Sequence, residues 1–324
     1  MSAPRDFVAI GDTVFDEFIF LKEAQVLCDA EGKSCALSMS WGEKIPFEKA
    51  ILLPAVGNAA NAAVAAARMG LSAALVTNVG DDIEGTAVVD TLAKEHVGTE
   101  HVVRHAGTQT NHHYVLSFQS ERTILIKHEK YPYAFPKDIP TPRALYFSSI
   151  AEGTESYHDD AAAYLEAHPE IFFAFQPGTF QIRVGKERLA RLYARTDIFF
   201  CNHEEAERIL GMQGPVEGLA EALHALGPKI VCITNGRGGV YARESDGTTV
   251  TLPMYPDIAP PVERTGAGDA FSSTTTAAML MGHSLKDAMK RGAINSAHVV
   301  QKVGAQEGLV DAATLDTLAT AWSV

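Results

Sequence analysis

Short, unbroken apolar runs recur along the chain at 7–10, 73–77, 144–147, 171–175, 198–201 and 230–233. A run of this kind, with no polar alternation, suits a strand covered on both faces, as in a parallel sheet. Between the runs, apolar residues return at helical spacing and predict helices over 58–69, 84–96, 155–167, 186–194 and 219–226. Beyond residue 265 only helices are predicted, over 269–281, 284–301 and 311–321. The alternation argues for an α/β fold with a doubly wound, mainly parallel sheet. Two segments break it. Residues 14–50 and 108–130 carry alternating, β-prone stretches (13–20, 112–118, 123–128) with no crossover helix of their own. They are expected to form a small separate β-sheet, a lid over the strand ends, or else an extension of the main sheet's edge. The chain reads as a single α/β domain over 1–324, with the lid segments inserted in it.

Composition narrows the class of function. The 324 residues are 46% hydrophobic and 21% charged, the balance of a globular protein. A net charge of −13 repels a phosphate backbone, so no nucleic-acid partner is expected. No stretch of about 18 apolar residues occurs, and the run at 7–10 is too short for a signal-peptide core, so neither membrane insertion nor secretion is expected. Cys28, Cys35, Cys201 and Cys232 form no C-x-x-C pair. They read as reduced, mostly buried thiols of a cytoplasmic protein.

Several motif fragments fail on inspection. Gly32-Lys33-Ser34 ends like a P-loop, but Leu27 stands where the first glycine belongs. His203-Glu-Glu-Ala-Glu207 has a glutamate where a zinc-protease helix needs its second histidine. His112 and His113 point to opposite faces of a strand and share no ion. Gly236-Arg-Gly238-Gly239 precedes a strand-like run rather than a helix, and Gly11-Asp12-Thr13 is no dinucleotide fingerprint.

The informative stretch is Glu263-Arg-Thr-Gly-Ala-Gly-Asp-Ala-Phe271. Gly266, Ala267 and Gly268 bring unobstructed backbone to a helix start, where unpaired N–H groups and the helix dipole favour an anion. Asp269, in the first turn, sets a carboxylate beside that cradle. A base next to a site for developing negative charge suits phosphoryl transfer to a hydroxyl; the plain alternative is that Asp269 only caps the helix.

Thr265-Gly-Ala-Gly-Asp-Ala-Phe271 resembles the C-terminal signature of the ribokinase-like (phosphofructokinase-B-type) sugar and nucleoside kinases. Gly57-Asn-Ala-Ala-Asn-Ala-Ala-Val64, running to Met69-Gly70, is similar to their N-terminal signature. Gly11-Asp-Thr-Val-Phe-Asp16, Asn202-His-Glu-Glu205, Thr234-Asn-Gly236 with Gly238-Gly239, and Gly304-Ala305 follow in the family's order. The resemblance implies a ribokinase-like fold and an ATP- and Mg2+-dependent carbohydrate kinase. It implies Asp269 as the base, with Gly266, Ala267 and Gly268 as the anion hole. Asp16, Gly57, Asn58 and Asn61, with Asp12 a further candidate, would bind a sugar. Asn202 and Glu205 would serve magnesium. Thr234, Asn235, Gly236, Gly238, Gly239, Asn295 and His298 would serve the nucleotide, with Gly304-Ala305 near adenine.

The chain also departs from the family pattern. Val56 stands where a first glycine is usual, Gln176-Pro177 where Asn-Pro is usual, and Glu263-Arg264 where Asp-Thr is common. The last pair leaves a monovalent cation open. So are a nucleoside acceptor, met by Phe15, Phe18, Phe20 or Tyr114, and a sugar-phosphate acceptor, met by Arg122, Lys127, His128 or Lys130. A catalytically silent sugar- or nucleotide-binding protein is the alternative of another class. A homodimer through lid-sheet edges is compatible with the pattern.

Overall fold

The computed structural model describes residues 4–31, 34–119 and 121–324; Gly32 and Lys33 of the rejected P-loop, and residues 1–3, lie outside them. The chain opens with β1 (Phe7–Ile10), β2 (Val14–Leu21), β3 (Gln25–Cys28), β4 (Cys35–Ser38) and β5 (Phe47–Val56). Helices and strands then alternate through α1 (Asn58–Arg68), β6 (Ala73–Gly80), α2 (Ile83–Lys94) and β7 (Gly98–His105). β8 (His112–Phe118) and β9 (Glu121–Lys127) interrupt before β10 (Ala144–Phe147), α3 (Glu155–Ala167) and β11 (Phe172–Phe175). Next come α4 (Thr179–Val184), α5 (Ala190–Arg195), β12 (Ile198–Asn202), α6 (His203–Leu210), α7 (Val216–His224) and β13 (Ile230–Thr234). An antiparallel pair, β14 (Val240–Glu244) and β15 (Thr249–Leu252), leads to α8 (Ala267–Leu280), α9 (Leu285–Val299) and α10 (Ala312–Ala321).

Among the described residues the main sheet has nine strands, ordered β15-β14-β13-β12-β11-β10-β1-β6-β7. From β13 to β7 every neighbour is parallel. Alternate side chains of the central strands enter opposite cores. Phe7 and Ala9 face α1, α8 and α9, while Val8 and Ile10 face α3, α5 and α7. This two-sided burial is why these strands read as continuous apolar runs. The predicted doubly wound sheet is present.

The interruptions also form their own sheet, ordered β5-β2-β8-β9, with β3 and β4 as a detached hairpin. Asn111 ties the lid's base together: its Oδ1 accepts the Glu129 N–H at 2.8 Å, and its Nδ2 donates to the Thr13 carbonyl at 3.4 Å.

Three expectations need correction. Cys28 and Cys35 are not buried thiols. The β3–β4 register sets them opposite each other, and they form a disulfide on the exposed hairpin. Cys201 and Cys232 are buried and free, as expected. The helix predicted over 186–194 shrinks to α5, preceded by turns after the left-handed Gly185. Edge strands β7 and β15 escaped prediction because both are half exposed and carry no continuous apolar run.

Candidate active site

The site forms where parallel strands end and helices begin, the usual ligand position in open α/β sheets. Gly266 caps α8 at φ 79°, a left-handed conformation that glycine adopts without strain. A Cβ there would also lie 2.3 Å from the Cβ of Ala305. At Gly268 a Cβ would meet nothing, so that glycine preserves free space in front of the helix. No side chain caps α8, leaving its first N–H groups directed at that space. The buried hydroxyl run 272–276 would weaken a helix in water. Here Ser272 and Ser273 donate back to the carbonyls of Gly268 and Asp269, at 2.8 and 2.6 Å, bracing the first turn.

Asp269 is 9% exposed, and three amides donate to it. Asn61 Nδ2 reaches Oδ2 at 2.8 Å; Asn58 Nδ2 and Gln176 Nε2 reach Oδ1 at 3.0 and 3.1 Å. Burial raises its pKa above the ordinary carboxylate value, while the amide bonds pull it down and the like charge of Glu205 adds to the rise. The plain alternative, a helix cap, does not describe this carboxylate: its oxygens face side-chain donors from α1 and the end of β11. Asn58 and Asn61, expected to touch a sugar, hold the Asp269 carboxylate. Gln176 is held in turn by Tyr146, whose OH donates to its Oε1, with Ser272 Oγ 2.9 Å from the same oxygen. In the sequence Gln176 stands out only as a departure from the family's usual Asn-Pro. Its place one residue beyond the strand β11 was the signal that could have found it.

Gly57, at φ 105°, brings the start of α1 against the backbone of Asp12, where a Cβ would lie 2.8 Å from the Asp12 carbonyl. Asp12 and Asp16 are both buried. Tyr133 OH donates to Asp12 Oδ1 at 2.7 Å. Asp12 Oδ2 and Asp16 Oδ1 have no hydrogen-bond donor among the described residues. His128 Nδ1 stands 3.7 Å from the first and His113 Nδ1 3.3 Å from the second, and neither makes a hydrogen bond to it. The two imidazoles meet at 3.1 Å through their Nε2 atoms, and Phe180 stands edge-on to His128. His112 turns the other way, onto Glu84, as the strand geometry requires. Of the aromatic candidates, Phe15 and Phe18 are buried, Phe20 lies under Lys49, and Tyr114 packs on His112. Arg122 pairs with Glu263 and Lys127 with Glu129, while Lys130 is exposed.

A groove of about 310 Å³ opens on the other side of the cradle. Thr234, Gly236 and Gly239 line it, with Tyr255, Ala267, Gly268 and Phe271. Asn235 lies beneath, its side chain against Gly238. The helix α9 presents Ala293, Ser296, Ala297 and Val300 to the groove, an i, i+3, i+4, i+7 face. Asn295 and His298 fall off that face. Asn295 is fully buried, donating to Thr274 Oγ1 at 2.8 Å and accepting the Val310 N–H at 3.0 Å. Gly304 and Ala305 do not reach the groove either. Gly304 packs on Leu53 and Ala305 on Gly266.

Asn202 and Glu205 form a capping box at the start of α6: Asn202 Oδ1 accepts the Glu205 N–H at 2.8 Å, and Glu205 Oε2 accepts the Asn202 N–H at 2.9 Å. The Asn202 oxygen is thereby committed to the helix. Glu205 keeps Oε1 available, and burial pushes its pKa up. Among the described residues no group of three or more His, Cys, Asp or Glu could hold a metal unaided, and no helix is long and apolar enough to cross a membrane.

Residues 49–312 match the pfkB family carbohydrate kinase. The chain is 27% identical over 316 residues to a nucleoside kinase of Methanothermobacter thermautotrophicus, covering 96% of this chain and 94% of that one. It is 30% identical over 273 residues to a fructokinase of Klebsiella pneumoniae, covering 79% and 87% respectively. The fold superposes on the Arabidopsis thaliana ribokinase complexed with ribose and ATP at a TM-score of 0.79, with 20% identity over 99% of this chain and all of that one. A carboxylate-bearing helix start beside a groove thus sits on a matching fold and a matching sequence, and the chain belongs to the pfkB family of carbohydrate kinases, phosphotransferases with an alcohol group as acceptor.

Proposed function

We propose that the protein transfers the γ-phosphoryl group of ATP to a hydroxyl of a small, uncharged sugar, the chain acting as one domain whose lid closes over the acceptor. The carrying observation is Asp269: a buried carboxylate, gripped by three amides, in the first turn of a helix whose leading N–H groups are open. Asp269 takes the proton of the attacking hydroxyl. The N–H groups around Gly266, Ala267 and Gly268 hold the charge that grows on the transferred group. ATP lies in the groove between Thr234–Gly239 and α9, its triphosphate toward the cradle. The half-buried, single-bonded carboxylate of Glu205 fits a divalent cation arriving with the nucleotide, and magnesium would neutralise the β- and γ-phosphate charge there. Glu263 already accepts the N–H groups of Thr265 and Gly304 at 3.1 and 3.0 Å, with Arg122 at 3.7 Å. The reading therefore includes no monovalent cation, and replacing potassium by tetramethylammonium should leave the rate within twofold.

The donorless oxygens of Asp12 and Asp16 call for hydroxyl hydrogens, which a polyol supplies. The carboxylates of Asp12 and Asp16 disfavour a phosphorylated sugar beside them, and Arg122 and Lys127 are engaged elsewhere. A nucleoside acceptor is the second reading, favoured by the Phe180–His128 pair, on which a base could stack. The test is ADP release with ATP and magnesium across neutral sugars, nucleosides and sugar phosphates. Turnover of a neutral sugar supports the first reading. Turnover of sugar phosphates alone, or ATP binding with no turnover, overturns it. For assembly, β9 leaves an open sheet edge with Leu125 and Ile126 52% and 65% exposed, and we propose that it pairs with a second copy. A monomer by light scattering, unchanged by Ile126→Lys, would refute this.

A further inference from the structure

Gln306 lies outside both signatures, in the turn that follows Gly304-Ala305. Its Nε2 donates to two acceptors on a distant part of the chain: the Ala55 carbonyl at 2.7 Å and Asn61 Oδ1 at 2.9 Å. Its own carbonyl accepts Arg68 Nη1 at 2.6 Å, and Arg68 is held in turn by Glu95. The turn is thus strapped to both ends of α1. The same turn supports the cradle, since Ala305 packs on Gly266 and the Gly304 N–H is bound by Glu263.

The bond to Asn61 has a chemical consequence. An asparagine amide fits its space equally well in two orientations, and only its partners decide between them. With Oδ1 held by Gln306, the Nδ2 group must face Asp269 Oδ2, at 2.8 Å. Flipped, Asn61 would turn an oxygen onto the carboxylate. The second bond of Gln306 clamps Ala55, a non-glycine residue at φ 59°, just before α1 begins.

We propose that Gln306 is a positioning residue for the phosphoryl transfer, fixing the Asn61 amide so that it presents a donor to Asp269. The inference rests on Asp269 being the base. The titratable groups that also act on Asp269 are Glu205 from α6 and Tyr146 from β10; neither contacts Gln306.

The test is a double-mutant cycle on the full-length protein. Gln306→Leu should lower kcat about tenfold with acceptor and ATP KM within twofold, and should add nothing in an Asn61→Ala background. Its kcat/KM profile should fall at higher pH on the acid side, because a bond favouring the ionised base is weakened. The Asn61 side-chain NH2 signal in a 15N–1H spectrum reads the same orientation without turnover, and should move in Gln306→Leu. Additive losses, or an unmoved Asn61 signal in a folded variant, overturn the proposal. If no acceptor is turned over by the unaltered protein, the kinase reading of Asp269 fails, and the NMR signal still decides whether Gln306 orients Asn61.

Discussion

Replacing Asp269 by asparagine keeps the shape of the side chain and removes its capacity to take a proton. Loss of a positioned general base costs about 10²–10⁴-fold in kcat, or about 3–6 kcal/mol of barrier at about 1.4 kcal/mol per decade. Stability should respond differently. The carboxylate accepts from Asn58 and Gln176 at one oxygen and from Asn61 at the other. An asparagine can keep one side, but its NH2 then faces the Asn61 NH2, which Gln306 prevents from turning. A donor left facing a donor costs about 1–3 kcal/mol. Against this, a buried charge that desolvation already disfavours is gone. These effects oppose each other, so the melting temperature should move by only a few degrees while turnover collapses. Coupled ADP release gives kcat, calorimetry gives ATP affinity, and differential scanning fluorimetry gives the melting temperature. A folded Asp269→Asn protein with kcat within tenfold of the unaltered one would refute the assignment of the base.

Other consequences are separable by assay. Asp12→Asn and Asp16→Asn each remove an acceptor for a substrate hydroxyl and should raise acceptor KM about tenfold or more, with ATP KM within twofold in initial-rate measurements. Gly266→Ala forces an L-residue into φ 79° against Ala305, a strain of about 1–2 kcal/mol before the overlap, and should lower the melting temperature. Gly268→Ala meets no atom, so its melting temperature should hold while ATP KM rises. Burial lifts the Asp269 pKa above 3.8, so protonation disables the base at a higher pH than for an exposed aspartate. kcat/KM should therefore fall on the acid side with a pKa above that value, and Asn61→Ala should move the limb further up.

The hydrophobic pattern alone revealed β1, β6 and β10–β13, because strands buried on both faces leave unbroken apolar runs. Edge strands β7 and β15, half exposed, leave none, and α5 was overestimated because helical spacing does not register a left-handed glycine such as Gly185. The cysteine reading failed for a related reason. Spacing does not reveal that 28 and 35 face each other across a hairpin; antiparallel register does. At the site, the glycine-rich turn and Asp269 were legible because their chemistry is local: backbone N–H groups and a first-turn carboxylate belong to one short segment. Asn58 and Asn61 were legible as polar residues at the start of α1, but their bonds to Asp269 were not, since a side chain's partner lies wherever the fold brings it. The helix α9 shows the same limit, for its groove-facing side was fixed by its rotation against α8, which left Asn295 and His298 pointing elsewhere.

What the chain determined by itself was the layered α/β architecture, the lid and the glycine-rich segment that opens α8, all consequences of periodicity and backbone geometry within a few residues. The tertiary structure alone decided which amides grip Asp269, that Gln176 and Gln306 support it from positions 93 and 245 residues away from their partners, and that among the described residues one oxygen each of Asp12 and Asp16 lacks a donor. Those contacts join segments far apart in sequence, and hydrogen bonding in a buried site depends on which groups meet there, not on where they stand along the chain.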